Sequence, residues 1–285
     1  MSYYDNISSD FMNISYQETH QNLELKPHFH NCYEIIFLLE GRIEFKINNK
    51  IYTADSSSII FVSNLESHEL KVLNYPYKRF FILIRPDYFQ SALGKSELLS
   101  IFRYRPEGFN HVVNLSYSDH LQIKELILGI HDEITNKSPF WEMNASSYLS
   151  LLFTTLFRKY RNSFPITSLN RSMETILKIQ RYIDEHLTED IKLSDVSRLF
   201  YTDMYYLSHL FKKVTGFNFK EYLILQRLSK AKELLLHSPE DITFIGSSSG
   251  FNNVNHFIRI FKKFEGITPH QYRKKFRVLT PIDNG

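Results

Sequence analysis

From residue 28 to about residue 90 the apolar positions alternate with polar ones or gather in short runs. Arg42-Ile43-Glu44-Phe45-Lys46-Ile47 has the two-residue period of a half-buried strand. Asn48-Asn49 supplies a hairpin turn, since asparagine tolerates positive φ, and Ile51-Tyr52-Thr53 is the return strand. Ser58-Ile59-Ile60-Phe61-Val62 and Phe80-Phe81-Ile82-Leu83-Ile84 are further β-rich runs, so this stretch predicts a small barrel or sandwich. From Tyr117 the period lengthens. Leu121, Ile123, Leu126, Ile127, Ile130 and Ile134 fit one helix; a second, from near Pro139, carries Leu149, Leu152, Phe153, Leu156 and Phe157. The pair predicts a helical hairpin that covers the barrel or joins two copies of the chain. Beyond Ser172 nearly every segment reads as a short helix, with punctuation at Gly216, Ser238-Pro239, Gly250 and Gly266-Ile267-Thr268-Pro269.

That last region contains a repeat. Leu207-Ser208-His209-Leu210-Phe211-Lys212-Lys213-Val214-Thr215-Gly216 is followed 50 residues later by Phe257-Ile258-Arg259-Ile260-Phe261-Lys262-Lys263-Phe264-Glu265-Gly266, and Tyr222 is followed by Tyr272 in the same frame. Each copy follows a short apolar segment and a turn. Leu193, Val196, Leu199 and Phe200 form the first segment, with Asp203 as the N-cap after the turn; Asp241 caps the second, which carries Ile242 and Ile245. The first-helix frames are offset by 49 rather than 50, so the second turn carries one extra residue. In each copy the later helix has a core face (Leu207, Leu210, Phe211, Val214; Phe257, Ile260, Phe261, Phe264) and an outward one. The outward residues are Tyr205, Ser208, His209 and Lys212 in the first copy, and Asn255, His256, Arg259 and Lys262 in the second. Such a face suits a major groove: arginine pairs with guanine and asparagine with adenine by two hydrogen bonds, while lysines meet phosphates. A single long helix, Phe219 to His237, would hold the two readers ~34 Å apart, the separation of successive major grooves.

Charge agrees with this division. Arg171 to Arg277 holds 18 Lys and Arg against 12 Asp and Glu, a net +6, leaving −3 for the rest of the 285-residue chain. With 43% hydrophobic and 23% charged residues the composition is that of a globular protein, and the length predicts two domains. One cysteine excludes a disulfide framework and suits the reducing cytoplasm, and no apolar run or basic leader marks a membrane or secreted protein.

Residues 172 to 276 resemble the paired helix-turn-helix domain of the AraC/XylS family of bacterial transcription regulators. The resemblance rests on Leu207, Leu210-Phe211-Lys212-Lys213, Gly216 and Tyr222, then on Gly250-Phe251, Phe257, Phe261-Lys262-Lys263, Gly266-Ile267-Thr268-Pro269 and Tyr272-Arg273. It implies base contacts from Tyr205, Ser208 and His209, and from Val254, Asn255, His256 and Arg259. The chain departs from the family pattern at Ser197 and Gly246, where alanine is usual, and at Tyr201, where the turn often has glycine. The run Gly246-Ser247-Ser248-Ser249 forms helix poorly and predicts a short first helix in the second copy.

In the N-terminal part, His28, His30 and Glu34 occupy even positions and would share one strand face lining a barrel interior; His68 comes after the next strands. The spacing His-x-His-x3-Glu-x6-Gly, ending at Gly41, resembles the first motif of the cupin fold, although Ser63-Asn64-Leu65-Glu66 lacks the proline and glycine of the second. His28, His30, Glu34, Arg42 and His68 are the candidate effector-binding residues, and three imidazoles with a carboxylate are also a candidate metal ligand set. The resulting expectation is an α+β protein in two domains. Residues 1–162 form a cupin-like β-barrel plus helical hairpin, 163–171 a linker, and 172–285 an all-α domain with two helix-turn-helix motifs. Its function would be a cytoplasmic, sequence-specific DNA-binding regulator, not an enzyme, that answers a small-molecule effector. Double-stranded DNA, RNA polymerase and a second copy of the chain would be its partners, with no cofactor and no membrane. The competing readings are a cupin-type metalloenzyme docked to DNA by its C-terminal domain, and a regulator without an effector.

Overall fold

The computed structural model describes residues 11–276 apart from 31, 48–49, 95, 107 and 166–170. Two compact units divide the chain, one within Ser8–Asn170 and the other within Arg171–Gly285. Among the described residues no helix is long and apolar enough to cross a membrane.

The first unit is a rolled antiparallel sheet covered by helices. Its strands are β1 (Met12–Thr19), β2 (Glu24–His28), β3 (Tyr33–Ile47), β4 (Lys50–Asp55), β5 (Ser58–Val62), β6 (His68–Ile84) and β7 (Val112–Asn114). The order is β1-β6-β3-β5-β7, with β2 added to β6 and β4 to β3. β3 and β6 are long enough to serve two pairings each: Tyr33–Leu38 lies between β5 and the end of β6, whereas Arg42–Ile47 lies between β4 and the start of β6. Three register shifts between Leu38 and Ile43 make the bend. Gly41, at φ +98°, sits there because a Cβ would come within 2.8 Å of the carbonyl oxygens of Asn74 and Pro76. Ile47 pairs with Lys50 as the hairpin requires, while Asn48-Asn49 itself lies outside the described residues.

The bend also switches which residues face inward. Tyr33, Ile35 and Phe37 join Ile59, Phe61, Phe80 and Ile82 beneath the helices, leaving Glu34, Ile36 and Leu38 on the inner face. After the shifts the odd positions Ile43, Phe45 and Ile47 are buried, and Phe45 stacks 5.8 Å from the ring of His68.

Helices α1 (Pro86–Leu93) and α2 (Ser96–Arg103) follow β6, and α3 (Tyr117–Asn136) and α4 (Trp141–Lys159) form the expected hairpin. Ser116 caps α3 by accepting from the N–H of Asp119. Ile123, Ile127 and Ile130 of α3 and Leu149, Leu152, Phe153 and Leu156 of α4 close the core against the sheet. Leu121, placed on that face by its spacing, is exposed instead, because two residues before Ile123 it falls on the opposite side of the helix from Ile123, Ile127 and Ile130. Within the expected linker 163–171, Phe164 is buried with its ring 5.1 Å from Phe157, and residues 166–170 lie outside the described residues.

The second unit holds α5 (Arg171–Glu185), α6 (Leu193–Leu199), α7 (Met204–Thr215), α8 (Phe219–His237), α9 (Ile242–Ser248), α10 (Val254–Glu265) and α11 (Pro269–Phe276). Ile176, Ile179, Val196, Leu207, Phe211, Leu228, Leu235, Ile245, Phe257 and Phe261 are its buried anchors. The long helix α8 spans Phe219–His237, capped by Asn218, whose side chain accepts from the N–H of Glu221. Despite its glycine and serines, α9 reaches the same seven residues as α6. Gly246 lets Phe257 pack close, since a Cβ there would lie 3.0 Å from the ring and the ring would have to give by a few tenths of an ångström.

Candidate DNA-reading helices and sensor site

The two motifs are built alike from the backbone upward. Asp203 accepts the N–H of Tyr206 at the start of α7, and Asn253 accepts the N–H of His256 at the start of α10, each at 2.9 Å. Both helices end at glycines in left-handed conformation, Gly216 (φ +81°) and Gly266 (φ +74°), whose N–H groups donate to Lys212 and Lys262. Matching caps give both helices twelve residues and place Lys212-Lys213 and Lys262-Lys263 in the last turn, where cations favour the helix dipole. The turns differ by the one residue that the offset predicts: Phe200–Asp203 against Ser249–Asn253. Tyr201 adopts φ +50°, the conformation for which a glycine is common, with its ring in solvent.

Leu207, Phe211 and Val214, then Phe257 and Phe261, turn into the unit, while Leu210 and Ile260 are half-buried. Phe264, expected in the core, is 38% exposed. α10 packs against α9 and α11, whereas α7 is backed by α5, α6 and α8. Tyr205, Ser208, His209 and Lys212 are exposed on α7, as are Asn255, His256, Arg259 and Lys262 on α10; Val254 is half-buried. Each group forms one outward polar face opposite the buried one.

The sensor unit brings four of the five candidate effector residues together, by a route other than the shared strand face. β2 stops at His28 and β3 starts at Tyr33, so His30 lies in the connection between them. His28 faces His68 as a cross-strand pair at the edge of the sheet, past a register shift at Lys26-Pro27, where proline offers no N–H to the ladder. His30 then folds inward so that Glu34 Oε2 is 3.1 Å from its Nε2 and 2.9 Å from Nε2 of His68. One nitrogen each of His28, His30 and His68 lies within 4.8 Å of the others. Arg42 stands apart: beyond the bend the even positions point outward, and it is exposed beside Asp55 at 3.4 Å.

Backbone carbonyls set the tautomers. The Nδ1 of His28 donates to Lys26 and that of His68 to Glu66, at 2.8 and 2.9 Å, which assigns the proton to Nδ1 in each. Burial, then the neighbouring His68 and His30, hold His28 neutral with a pKa near 2. Burial opposes ionisation of Glu34, but His68 and His30 outweigh it and keep the carboxyl well below its ordinary range. With its proton on Nδ1, His68 turns Nε2 toward the Glu34 carboxylate, and the two present donor atoms of a kind that a divalent ion accepts. Carbonyl-anchored imidazoles with a carboxylate suit such an ion, and His28, His30 and His68 with Glu34 would hold it.

A second buried charge cluster went unread in the sequence. Arg105, in the connection after α2, donates to both carboxylate oxygens of Glu66 at 2.7 and 3.2 Å and to the carbonyls of Ile101 and Tyr104. Glu66 also accepts the N–H of Ser63 at 2.7 Å. His111 donates Nδ1 to the carbonyl of Phe61, and burial depresses its pKa to about 4, with Glu66 opposing and Arg105 adding to the shift. An imidazole depressed in the folded state stabilises the protein fully above its ordinary pKa of 6.5, and that contribution drains away as the pH falls toward 4. Urea unfolding of the intact chain should therefore show the sensor unit losing about 1 kcal/mol from this group between pH 7 and 5.5. His111→Gln, which keeps a donor for Phe61, should remove that loss; an unchanged pH slope in the variant would contradict the assignment.

Comparison with known proteins supports both units. The model of the AraC-like ligand binding domain matches residues 11–153 and that of a helix-turn-helix domain matches residues 196–275. The transcriptional activator RhaS of Enterobacter sp. is 24% identical over 253 residues, covering 87% of each chain. The regulatory protein PocR of Salmonella typhimurium is 40% identical over 98 residues, but the match covers only 34% of this chain and 32% of PocR. Among solved structures, an apo form of ToxT from Vibrio cholerae shares the fold with a TM-score of 0.62 at 18% identity, covering 94% of this chain and 98% of that one. With a ligand-binding unit and paired reading motifs both accounted for, the chain belongs to the AraC family of transcription regulators.

Proposed function

We propose that this regulator reads DNA through Tyr205, Ser208, His209 and Lys212 on α7 and through Val254, Asn255, His256, Arg259 and Lys262 on α10. The observation that carries the reading is the pair of twelve-residue helices with matching caps, each turning one polar face outward. Arg259 has the reach and the planar fork for guanine, Asn255 has the amide for adenine, and the lysines of the last turns reach phosphates. Replacing Arg259 with alanine should cost about 1–3 kcal/mol on the selected DNA site and relax preference at one base pair. Lys212→Ala and Lys262→Ala should instead weaken binding to all sequences and each reduce the salt slope by about one. Competition binding at several salt concentrations separates the two effects. Unchanged specificity in the arginine variant, or an unchanged slope in the lysine variants, counts against the assignment.

The sensor unit takes the effector at His28, His30, Glu34 and His68, and the chain acts in the cytoplasm as a homodimer. Met143 and Leu151 of α4 lie two turns apart on its exposed side and provide an apolar stripe for the partner copy. Effector binding then selects the dimer arrangement in which both DNA-reading units reach their sites. The similarity to the transcriptional activator RhaS favours activation, for which RNA polymerase would be the partner. A regulator rather than an enzyme is the better reading, since the two matched family models are a ligand-binding domain and a helix-turn-helix domain and the relative RhaS is a transcriptional activator. A second reading is favoured by the three-imidazole cluster: the effector is, or is anchored by, a divalent metal ion. Metal analysis of protein purified without chelator, with His68→Ala as the control, decides between them.

A further inference from the structure

Between α7 and α10 lies an open cleft of about 510 Å³, bordered by Ser208 of one helix, His256 of the other and Arg227 of α8. Arg227 is engaged with the chain ahead of the first motif. Its Nε donates to the carbonyl of Leu187 at 3.1 Å and its Nη2 to that of Glu189 at 2.6 Å, both in the turn that follows α5. The second motif meets the same point. Gly250, in the turn before α10, has φ +91°; a Cβ there would collide with the carbonyl oxygen of Leu187 and come within 2.7 Å of Arg227 Nε. The turn before α6, the middle of α8 and the turn before α10 therefore converge on one guanidinium and one glycine.

The nineteen residues of α8 rise about 28 Å and fix how far apart the motifs stand. A rod alone does not fix how each motif is rotated about it; contacts off the axis do that. A planar guanidinium bonded to two carbonyls admits one orientation, and a glycine seated flush against one of those carbonyls passes that orientation to the second motif.

We infer that Arg227 and Gly250 set the spacing and rotational phase at which the two reading helices address DNA, and so act as specificity-determining positions outside both helices. The inference rests on α7 and α10 reading a single duplex. Adding or removing one base pair between their target elements displaces the second groove by about 3.4 Å and turns it by about 34°. A rigid pair of motifs penalises such a site, whereas a loosened pair tolerates it.

The test uses the full-length protein and duplexes based on a site selected from random DNA. In one series the two elements are moved one base pair closer or farther; in another, single bases are changed within each element. The wild type should bind the selected spacing about tenfold more tightly than either neighbour. Arg227→Ala should bring the three spacings within about threefold of one another while base changes inside the elements cost what they cost the wild type. Arg227→Lys, which keeps the charge but loses the fork, should do the same and decides the matter if the alanine variant fails to fold. Retention of the wild-type spacing preference, or an equal loss of affinity at every spacing, overturns the inference. If base changes in one of the two elements cost the wild type nothing, the two-helix reading itself fails.

Discussion

Phe257→Ala should destabilise the DNA-reading unit by about 3–5 kcal/mol. Phe257 is fully buried, with its ring 5.1 Å from Phe251 and 5.7 Å from Phe261. Its other neighbour is Gly246, which has no side chain to move into the vacated space, and the surrounding helix α9 is only seven residues long. A cavity that cannot collapse places the cost toward the upper end of that range. Urea unfolding monitored by circular dichroism gives the value. Binding should lose its preference for bases opposite α10 while keeping that for bases opposite α7. A loss of stability under about 1 kcal/mol would show that the second motif is not organised around this ring.

Arg105→Ala should cost the sensor unit about 3–5 kcal/mol, because it strands the carboxylate of Glu66 in the interior. The guanidinium is the cation bonded to both oxygens of Glu66, and it ties the end of α2 to the loop between β5 and β6. His111, 3.9 Å from Glu66, is the neighbour best placed to compensate. Removing Arg105 takes away a positive charge that depresses His111 and leaves the negative one that raises it, so its pKa should rise. Unfolding at pH 7 and an NMR titration of His111 measure both effects. Glu66→Leu combined with Arg105→Leu should be milder than Arg105→Ala alone, since no charge is then left buried. An alanine variant as stable as the wild type would mean that water reaches Glu66 and that the pair is ornamental.

The parts legible in the sequence are those decided by neighbours along the chain. The caps Asp203 and Asp241, the closing glycines Gly216 and Gly266, and both ends of α8 follow from local hydrogen bonding and backbone freedom. The repeat added long-range information that single segments lack, because two copies of one pattern must be explained together. Asn253 caps α10 as Asp203 caps α7, although of the two only the aspartate stands out as a cap in the sequence.

What escaped reading depends on contacts distant in sequence or on irregular backbone. β1 fully buries only Met12 and Ile14, and its one strand partner is β6, about sixty to seventy residues away. The proline in β2 argues against a strand, and the strand tolerates it by a register shift. Arg42, a candidate for the pocket from the sequence, lies beyond the bend in β3 and is exposed beside Asp55, and the bend is set by register shifts that no local pattern marks. Glu66 and Arg105 are 39 residues apart, and neither belongs to a motif. Gly250 belongs to the family pattern, but its reason, a carbonyl from the turn after α5 and an arginine of α8, is visible only in three dimensions.

Hydroxyl-radical footprinting of one chain's DNA-reading unit on a selected duplex tests the central claim most directly. Two helices entering successive major grooves should leave two protected patches on one face of the DNA, their centres about ten base pairs apart, and Arg259→Ala should fade only the patch belonging to α10. A single patch, or two patches on opposite faces of the duplex, would contradict it.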